Sequence, residues 1–168
     1  MIIWFTGQPG AGKTTLALKT IDYYKNKEPN MQIVHIDGDN LRKITHNFDY
    51  SLEGRKKNID NVHTIARFME YQGALVVISV VAPLRSMRDS LKKTNDVIEI
   101  YVHTSETRGR EHNFAKNYQV PKKDFIDIDT TKDSVDESFK KIHEKIIERM
   151  TIEKYEDIIN KYANLVKK

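Results

Sequence analysis

Near its amino terminus the chain reads Gly7-Gln8-Pro9-Gly10-Ala11-Gly12-Lys13-Thr14-Thr15. This stretch, called the phosphate loop below, satisfies in full the pattern Gly-x-x-x-x-Gly-Lys-Ser/Thr that binds nucleotide phosphates. Its glycines allow the backbone to turn successive N–H groups towards phosphate oxygens at the positive end of a following helix. Lys13 is expected to reach the β- and γ-phosphates, and the Thr14 hydroxyl to hold Mg²⁺. The alternative is a glycine-rich turn with an incidental lysine.

Short β-rich runs alternate with longer runs of helical period around this loop. Such alternation is typical of βαβ units, so it predicts an α/β domain with a parallel sheet. Strands are predicted at residues 2–6, 32–37, 74–81, 97–103 and 124–129. Helices are predicted at 13–27, 52–72, 84–93, 106–117 and 134–149, with an extra C-terminal helix at about 151–167. The phosphate loop therefore falls between a strand and a helix, which is the context that the motif requires.

The bulk composition narrows the class of protein. A length of 168 residues predicts one domain, residues 1–168. The 28 Lys and Arg residues exceed the 24 Asp and Glu residues only slightly and without a basic stripe, so nucleic acid is not the expected partner. The sequence contains no cysteine, which excludes disulfides and thiolate metal sites.

The apolar patterns favour a cytoplasmic protein with no membrane partner. No apolar run approaches the roughly 20 residues that span a bilayer, and the first residues lack the pattern of a signal peptide. Apolar residues at 3-4 spacing in 151–167 predict an amphipathic helix. We expect this helix to pack on its own domain, with a homodimer contact as the alternative.

Two carboxylates follow the second predicted strand, where the chain reads His35-Ile36-Asp37-Gly38-Asp39-Asn40-Leu41-Arg42. Ligands bind at the carboxyl ends of parallel strands, so both side chains are expected beside the phosphate loop. Asp37 is expected to organise Mg²⁺ through water, and Asp39 to accept the proton of an attacking hydroxyl. The alternative is an ordinary Asp-Gly turn in which Asp39 caps a helix.

The same motifs separate a kinase from other phosphate-loop proteins. The Asn-Lys-x-Asp motif that reads guanine is missing, because Asn26-Lys27 is followed by Glu28-Pro29 and Asn160-Lys161 is followed by Tyr162-Ala163. We therefore expect an ATP-dependent kinase of a small molecule and not a GTP-driven switch. Two alternatives remain: a non-catalytic regulator that binds nucleotide, and a kinase of sugars or shikimate.

Three linked motifs resemble the adenylylsulfate (APS) kinase family. Its members carry Asp-Gly-Asp-Asn-x-Arg, then an aromatic-Ser-x-x-Asp-Arg-x-x-Asn-Ile run, then Ser-Pro-Phe-Arg-x-x-Arg. This chain has the first intact at residues 37–42 and keeps parts of the others at 50–59 and 82–88. The resemblance covers about residues 1–103. It implies the P-loop kinase fold, a five-stranded parallel sheet in order 2-3-1-4-5 flanked by helices, with a short lid at about 106–120.

The resemblance also implies a reaction and a set of site residues. The reaction is transfer of the ATP γ-phosphoryl group, with Mg²⁺, to the ribose 3′-hydroxyl of a small nucleotide acceptor that carries an activated 5′ group. Lys13, Asp37 and Asp39 are the expected catalytic residues. The expected substrate-binding residues are Asp39, Arg42, Tyr50, Arg55, Asn58, Pro83, Leu84, Arg85, Lys116 and Tyr118. The two arginines at 42 and 55 offer planar forks for an anionic 5′ group, and Tyr50 matches a family phenylalanine that stacks on the base.

The departures from the family lie on the acceptor side. Gly54, Ala82 and Leu84 replace an aspartate, a serine and a phenylalanine. The lid lacks the family's Asp-Pro-Lys-Gly-Leu-Tyr block, which leaves as candidates for charge and stacking Arg108, Arg110, Lys116 and Tyr118. An intact phosphate loop with a changed acceptor side favours the same chemistry on a different nucleotide. The chain is similar to the family's cytidine diphosphoramidate kinase branch, which acts in capsule biosynthesis, so cytidine 5′-diphosphoramidate is the preferred acceptor and APS the alternative.

Overall fold

The computed structural model describes the backbone of residues 1–166 and the side chains of residues 1–152. Five strands form one sheet: β1 (Ile2–Thr6), β2 (Ile33–Asp37), β3 (Leu75–Ser79), β4 (Val97–His103) and β5 (Phe125–Asp129). Their order is β2-β3-β1-β4-β5, and all neighbours are parallel, which confirms the predicted fold. The predicted strand bounds are correct to within two residues.

Helices cover both faces of this sheet. They are α1 (Lys13–Lys27), α2 (Gly38–Ile44), α3 (Leu52–Tyr71), α4 (Arg85–Lys92) and α5 (Val135–Val166). Successive side chains of a strand point to opposite faces. On one face Ile3 and Phe5 therefore pack in a core with residues of α1 and α5, and on the other Ile2 and Trp4 pack with residues of α3. Every residue of β1 and β3 is buried, which explains their nearly unbroken apolar sequences.

The prediction of a helix at residues 106–117 is wrong. The lid is irregular there, apart from one turn of 3₁₀ helix at Glu111–Asn113. The segment has no apolar stripe at helical spacing, and Gly109 takes a positive φ of 73°, which an α-helix does not accommodate. The hydrogen bonds of the lid are short turns within the segment and bonds to residues elsewhere, such as Gln8 and Thr130.

Two other helices differ from the prediction. Helix α2 was not predicted, because its seven residues follow what reads as an Asp-Gly turn. The helices predicted at 134–149 and at about 151–167 form one continuous helix, α5. Beyond residue 152 the side chains lie outside the described part, so a homodimer contact there stays a prediction. No helix among the described residues is long and apolar enough to cross a membrane.

A buried arginine fastens the end of the lid to the loop after β3. Arg88 is 1% exposed and pairs with Glu99, with 2.6 Å between Nε and Oε1. The same guanidinium donates to the carbonyl of Ala82 at 2.5 Å and to that of Gln119 at 2.5 Å. Because a buried charge needs a partner and further hydrogen bonds, Arg88 holds both backbone segments in fixed positions beside the carboxyl edge of the sheet.

Candidate active site

The phosphate loop is packed tightly between β1 and α1. Gly7 has a φ of 144°, and a Cβ atom at this position would lie 2.0 Å from the carbonyl oxygen of Val102. Gly12 has a φ of 99° and is the N-cap of α1. The two glycines thus permit the close approach to β4 and the turn into the helix. Lys13 folds back over the loop, and its Nζ donates to the carbonyl of Gln8 at 2.8 Å.

The ammonium group of Lys13 lies in a mostly dry setting. Its residue is 8% exposed, and burial lowers the pKa of Lys13 to about 8. The negative charges of Asp39 and Asp37 oppose this shift of the pKa, whereas the positive charge of Arg110 adds to it. Lys13 is therefore ionised below about pH 8 and becomes neutral above it.

This pKa predicts that ATP binding depends on pH. The phosphates attract the ammonium form, so the Kd for ATP should stay level below pH 8 and rise about tenfold per unit above it. Calorimetric titration between pH 7 and 9.5 measures the change. Lys13→Arg is the matched control, because a guanidinium stays charged over that range, so the Kd of this variant for ATP should not change with pH. A wild-type Kd that is constant to pH 9.5 would contradict the lowered pKa of Lys13.

Asp37 is held by hydrogen bonds on both carboxylate oxygens. Oδ1 accepts the backbone N–H groups of Asp39 and Asn40, each at 3.1 Å, which makes Asp37 the N-cap of α2. Oδ2 accepts the hydroxyls of Thr14 at 3.0 Å and Ser79 at 2.9 Å. Burial acts to raise the pKa of Asp37, but these hydrogen bonds outweigh it and hold the pKa below its ordinary value. The carboxylate is thus ionised and fixed in direction.

Two residues that were not predicted from the sequence, Ser79 and His35, form a chain of hydrogen bonds to Asp37. The Ser79 hydroxyl donates a hydrogen bond to Asp37, so its oxygen accepts one from the Nε2–H group of His35, 2.9 Å away. Burial lowers the pKa of His35, which favours the neutral ring. The available signal was a serine at the carboxyl end of the apolar strand β3, directly opposite Asp37 in the sheet.

Asp39 lies in the first turn of α2 and lines the cleft. Within the described part of the chain its carboxylate accepts no hydrogen bond. The alternative in which Asp39 caps a helix is wrong, because Asp37 is the cap. The two carboxylates thus differ: Asp37 accepts four hydrogen bonds, whereas Asp39 lines the cleft and accepts none from the residues that the structure describes.

The residues beside the phosphate loop fit Mg²⁺. Oxygen ligands from one hydroxyl and one carboxylate suit this ion, which keeps several waters and is completed by substrate phosphates. Thr14 and Asp37 would supply these two groups, the Asp37 carboxylate through water, and their side-chain oxygens lie 3.0 Å apart at the wall of the cleft. Among the described residues no cluster of three or more His, Cys, Asp or Glu side chains could hold a metal by itself.

One cleft of about 690 Å³ brings most of the predicted residues together. Its lining includes Pro9, Gly10, Gly12, Lys13, Thr14, Thr15, Asp37, Asp39, Arg42, Tyr50, Arg55, Asn58 and Pro83. An adjoining side cavity of about 390 Å³ lies between the start of α3 and the lid. It shares Tyr50, Arg55 and Pro83 with the cleft and adds Phe114 and Lys116.

Tyr50 stands at the junction of the cleft and the side cavity. The residue is 56% exposed, and the guanidinium of Arg42 lies 4.6 Å from its ring centroid. Arg42 itself is 5% exposed and donates to the carbonyls of Asn47 at 3.0 Å and Asp49 at 2.8 Å. The position of Tyr50 therefore depends on Arg42 and on the loop that precedes α3.

The buried amide of Asn58 also lines the cleft, and it has an unmet hydrogen bond. Asn58 is 2% exposed, and its Oδ1 has no hydrogen-bond partner among the described residues. A buried carbonyl oxygen without a donor costs free energy, so a substrate N–H or O–H group placed there would relieve that cost.

Three predicted substrate-binding residues lie outside both cavities. The guanidinium of Arg85 donates to the carbonyl of Val120 at 3.2 Å, and Leu84 is the N-cap of α4. The Tyr118 hydroxyl bonds to that of Thr6 at 2.9 Å, and its ring packs against Arg88. Burial raises the pKa of Tyr118. The expectation that Tyr118 stacks on a substrate base is therefore corrected. In this structure its ring is part of the packing between β1 and the lid.

The lid arginines have separate positions. Arg108 is bound to Glu106 at 2.8 Å and donates to the carbonyl of Thr130 at 2.6 Å. Arg110 lines the cleft beside Gly10 of the phosphate loop. Of the three charges expected from the lid, Arg110 lines the cleft and Lys116 lines the side cavity, whereas Arg108 lines neither and donates to the carbonyl of Gly10 at 3.4 Å.

The sheet, the phosphate loop and the paired carboxylates define a P-loop phosphotransferase. Residues 1–141 match the family model described as adenylylsulphate kinase, and the chain belongs to this family. It is thus an ATP-dependent phosphotransferase that uses Mg²⁺.

Two relatives agree with this assignment, and a solved structure agrees with the fold. An adenylyl-sulfate kinase of Staphylococcus epidermidis is 29% identical over 163 residues, which cover 84% of this chain and 81% of the relative. One of Prochlorococcus marinus is 30% identical over 171 residues, covering 88% of this chain and 84% of the relative. The structure of a Mycobacterium tuberculosis APS kinase in complex with AMPPNP and APS has a TM-score of 0.73 at 22% identity, covering 85% of this chain and 95% of that chain.

Proposed function

We propose that the chain transfers the γ-phosphoryl group of ATP to the ribose 3′-hydroxyl of a nucleotide with an activated 5′ group. We propose cytidine 5′-diphosphoramidate as the preferred acceptor and APS as the alternative. One observation carries the proposal: a single cleft joins Lys13 and the phosphate loop to the unpartnered carboxylate of Asp39 and to the acceptor-side residues Arg55 and Asn58.

The phosphate loop supplies the donor side of the reaction. Lys13 would leave the carbonyl of Gln8 and bind the β- and γ-phosphates, where its charge stabilises the negative charge of the transition state. Arg110 lies beside the loop and would add a second positive charge. Thr14 and Asp37 would hold Mg²⁺, which when bound neutralises the phosphate oxygens.

Asp39 supplies the base. The 3′-hydroxyl oxygen would attack the γ-phosphorus, its proton would pass to the Asp39 carboxylate, and the bond to the leaving ADP oxygen would break. Asp37 is a poorer candidate, because four protein hydrogen bonds already occupy its two oxygens. An acceptor held with its hydroxyl within hydrogen-bond reach of Asp39 needs no further activation.

The side cavity supplies the acceptor side. Tyr50 and Phe114 are 56% and 41% exposed at its wall, so their rings are available for a nucleobase. Arg55 and Lys116 add positive charge for the 5′ group. The unpartnered amide oxygen of Asn58 would accept a hydrogen bond from the bound nucleotide.

The choice of acceptor follows from changes at this wall. A Cβ atom at Gly54 would lie 2.2 Å from the backbone oxygen of Asp49, so the loop before α3 sits where a side chain would be. The same loop binds Arg42 through the carbonyls of Asn47 and Asp49. Together with Ala82 and the short lid, the position of this loop gives Tyr50 surroundings that differ from the APS kinase pattern. These differences favour a base and a 5′ group other than those of APS. The names of the relatives support APS as the alternative.

A panel of acceptors assayed with Mg-ATP tests the choice. We expect kcat/KM for cytidine 5′-diphosphoramidate to exceed that for APS by about tenfold or more, since one good polar contact and its loss account for such a ratio. Sugars and shikimate should give almost no turnover. A clear preference for APS would overturn the choice of base, and turnover on neither nucleotide would overturn the proposed acceptor class.

A further inference from the structure

The side-chain amide of Gln8 both donates a hydrogen bond to the backbone of the lid and accepts one from it. Its Nε2 donates to the carbonyl of Ala115 at 3.0 Å, and its Oε1 accepts the N–H of Ala115 at 2.9 Å. Ala115 is 7% exposed, so water competes little for these groups. Gln8 occupies a variable position of the phosphate-loop pattern, where the binding of phosphates does not call for a glutamine.

The backbone of the same residue touches the reactive lysine. The carbonyl of Gln8 accepts the hydrogen bond from Lys13 at 2.8 Å. When Lys13 turns to the phosphates of ATP, this carbonyl loses the bond from Lys13 and keeps the longer one from the N–H of Ala11 at 3.3 Å. One residue is therefore bonded to the group that senses the nucleotide and also to the lid.

Ala115 in turn belongs to the wall of the side cavity, between Phe114 and Lys116. A second connection lies at the start of the lid, where Arg108 donates to the carbonyl of Gly10 at 3.4 Å and to the hydroxyl of Thr130 at 3.1 Å. The longer distance makes the bond to Gly10 weak. The paired bonds of Gln8 are thus the stronger direct link between the phosphate loop and the lid.

We propose that Gln8 is a positioning residue that couples the ATP site to the acceptor wall. With ATP bound, the phosphate loop holds Ala115 through Gln8 and thereby sets the position of Phe114 and Lys116. The acceptor then binds a wall that is already ordered, and ATP and acceptor each strengthen the binding of the other by the same factor. This inference rests on the proposed function for the identity of the acceptor, but the link between ATP and the lid does not.

Gln8→Leu tests the coupling, because leucine has a similar size and can form neither bond. We expect the Kd for ATP to change less than about threefold, while the KM for the acceptor at saturating ATP rises about tenfold and kcat changes little. Gln119→Leu is the matched control: the Gln119 side chain accepts a backbone N–H of Arg85 at 3.0 Å, and its bond does not involve the phosphate loop. The control should keep the wild-type KM.

Hydrogen exchange at the Ala115 amide supplies a readout that needs no acceptor. In the wild type, AMPPNP should slow this exchange several-fold, and Gln119→Leu should behave alike. In Gln8→Leu the amide should exchange faster and should not respond to AMPPNP. An unchanged exchange rate in the wild type on adding AMPPNP, or a Gln8→Leu variant with wild-type KM, overturns the coupling. If no nucleotide acceptor is turned over, the proposed function fails while the exchange result still decides this inference.

Discussion

Lys13→Ala is expected to lower kcat/KM by about 10³-fold or more. A cation at the β- and γ-phosphates stabilises charge that builds up in the transition state, and single charges of this kind account for factors of that order. Lys13 is 8% exposed at the floor of the cleft, so no solvent cation takes its place. Steady-state kinetics with saturating Mg²⁺ measures the loss.

The fold should survive this change. The pKa of Lys13 is lowered because its charge is poorly solvated, so the folded state gains little from that charge. Lys19→Ala is the matched control, since Lys19 lies on the same helix but pairs with Asp136 at the surface. It should keep wild-type turnover. A Lys13→Ala variant that folds and keeps near wild-type turnover would show that the phosphate loop is wrongly assigned.

Asp39→Asn is expected to lower kcat by about 10²–10⁴-fold, the usual contribution of a positioned base. Asparagine keeps the size of the side chain and its hydrogen bonding but not its basicity. The Kd for ATP should change little, because Lys13 and Thr14 bind the nucleotide. Turnover under saturating substrates and a separate ATP titration give the two values. A kcat within a few-fold of the wild type would remove Asp39 from the proton transfer.

Comparing Asp37→Asn with Asp39→Asn distinguishes the roles of the two carboxylates. Asp37 accepts the Thr14 hydroxyl and is the proposed metal ligand, so its loss should raise the Mg²⁺ concentration needed for half-maximal rate. Asp39→Asn should leave that concentration unchanged. Equal shifts in both variants would contradict the division of roles.

The sheet was predictable because its strands carry a strong local signal. β1 and β3 are buried on both faces, and their unbroken apolar sequences end in turns. The phosphate loop and the Asp37-Gly38-Asp39 segment were predictable because motif and strand end coincide. The order of the strands, in contrast, came from the resemblance to a family and not from these patterns.

The lid was not predictable in the same way. Its conformation depends on partners far along the chain, such as Gln8 for Ala115 and Thr130 for Arg108, and no local pattern encodes them. Tyr118 was expected in the site because it is aromatic. Its direction is set by Thr6 and Arg88, which turn the ring towards the sheet. Residue type thus identified the polar loops of the site, but tertiary contacts decide which side chains face the cleft.

Identification of the phosphorylated product tests the central claim most directly. The enzyme is incubated with Mg-ATP and one acceptor, either cytidine 5′-diphosphoramidate or APS. ³¹P nuclear magnetic resonance then locates the new phosphate. The matching 3′-deoxy nucleotide is the control. We expect a monophosphate ester on the ribose 3′ oxygen, formed in equal amount with ADP, and no transfer to the 3′-deoxy nucleotide. A phosphate on the 5′ group, or equal transfer to the 3′-deoxy nucleotide, would contradict it.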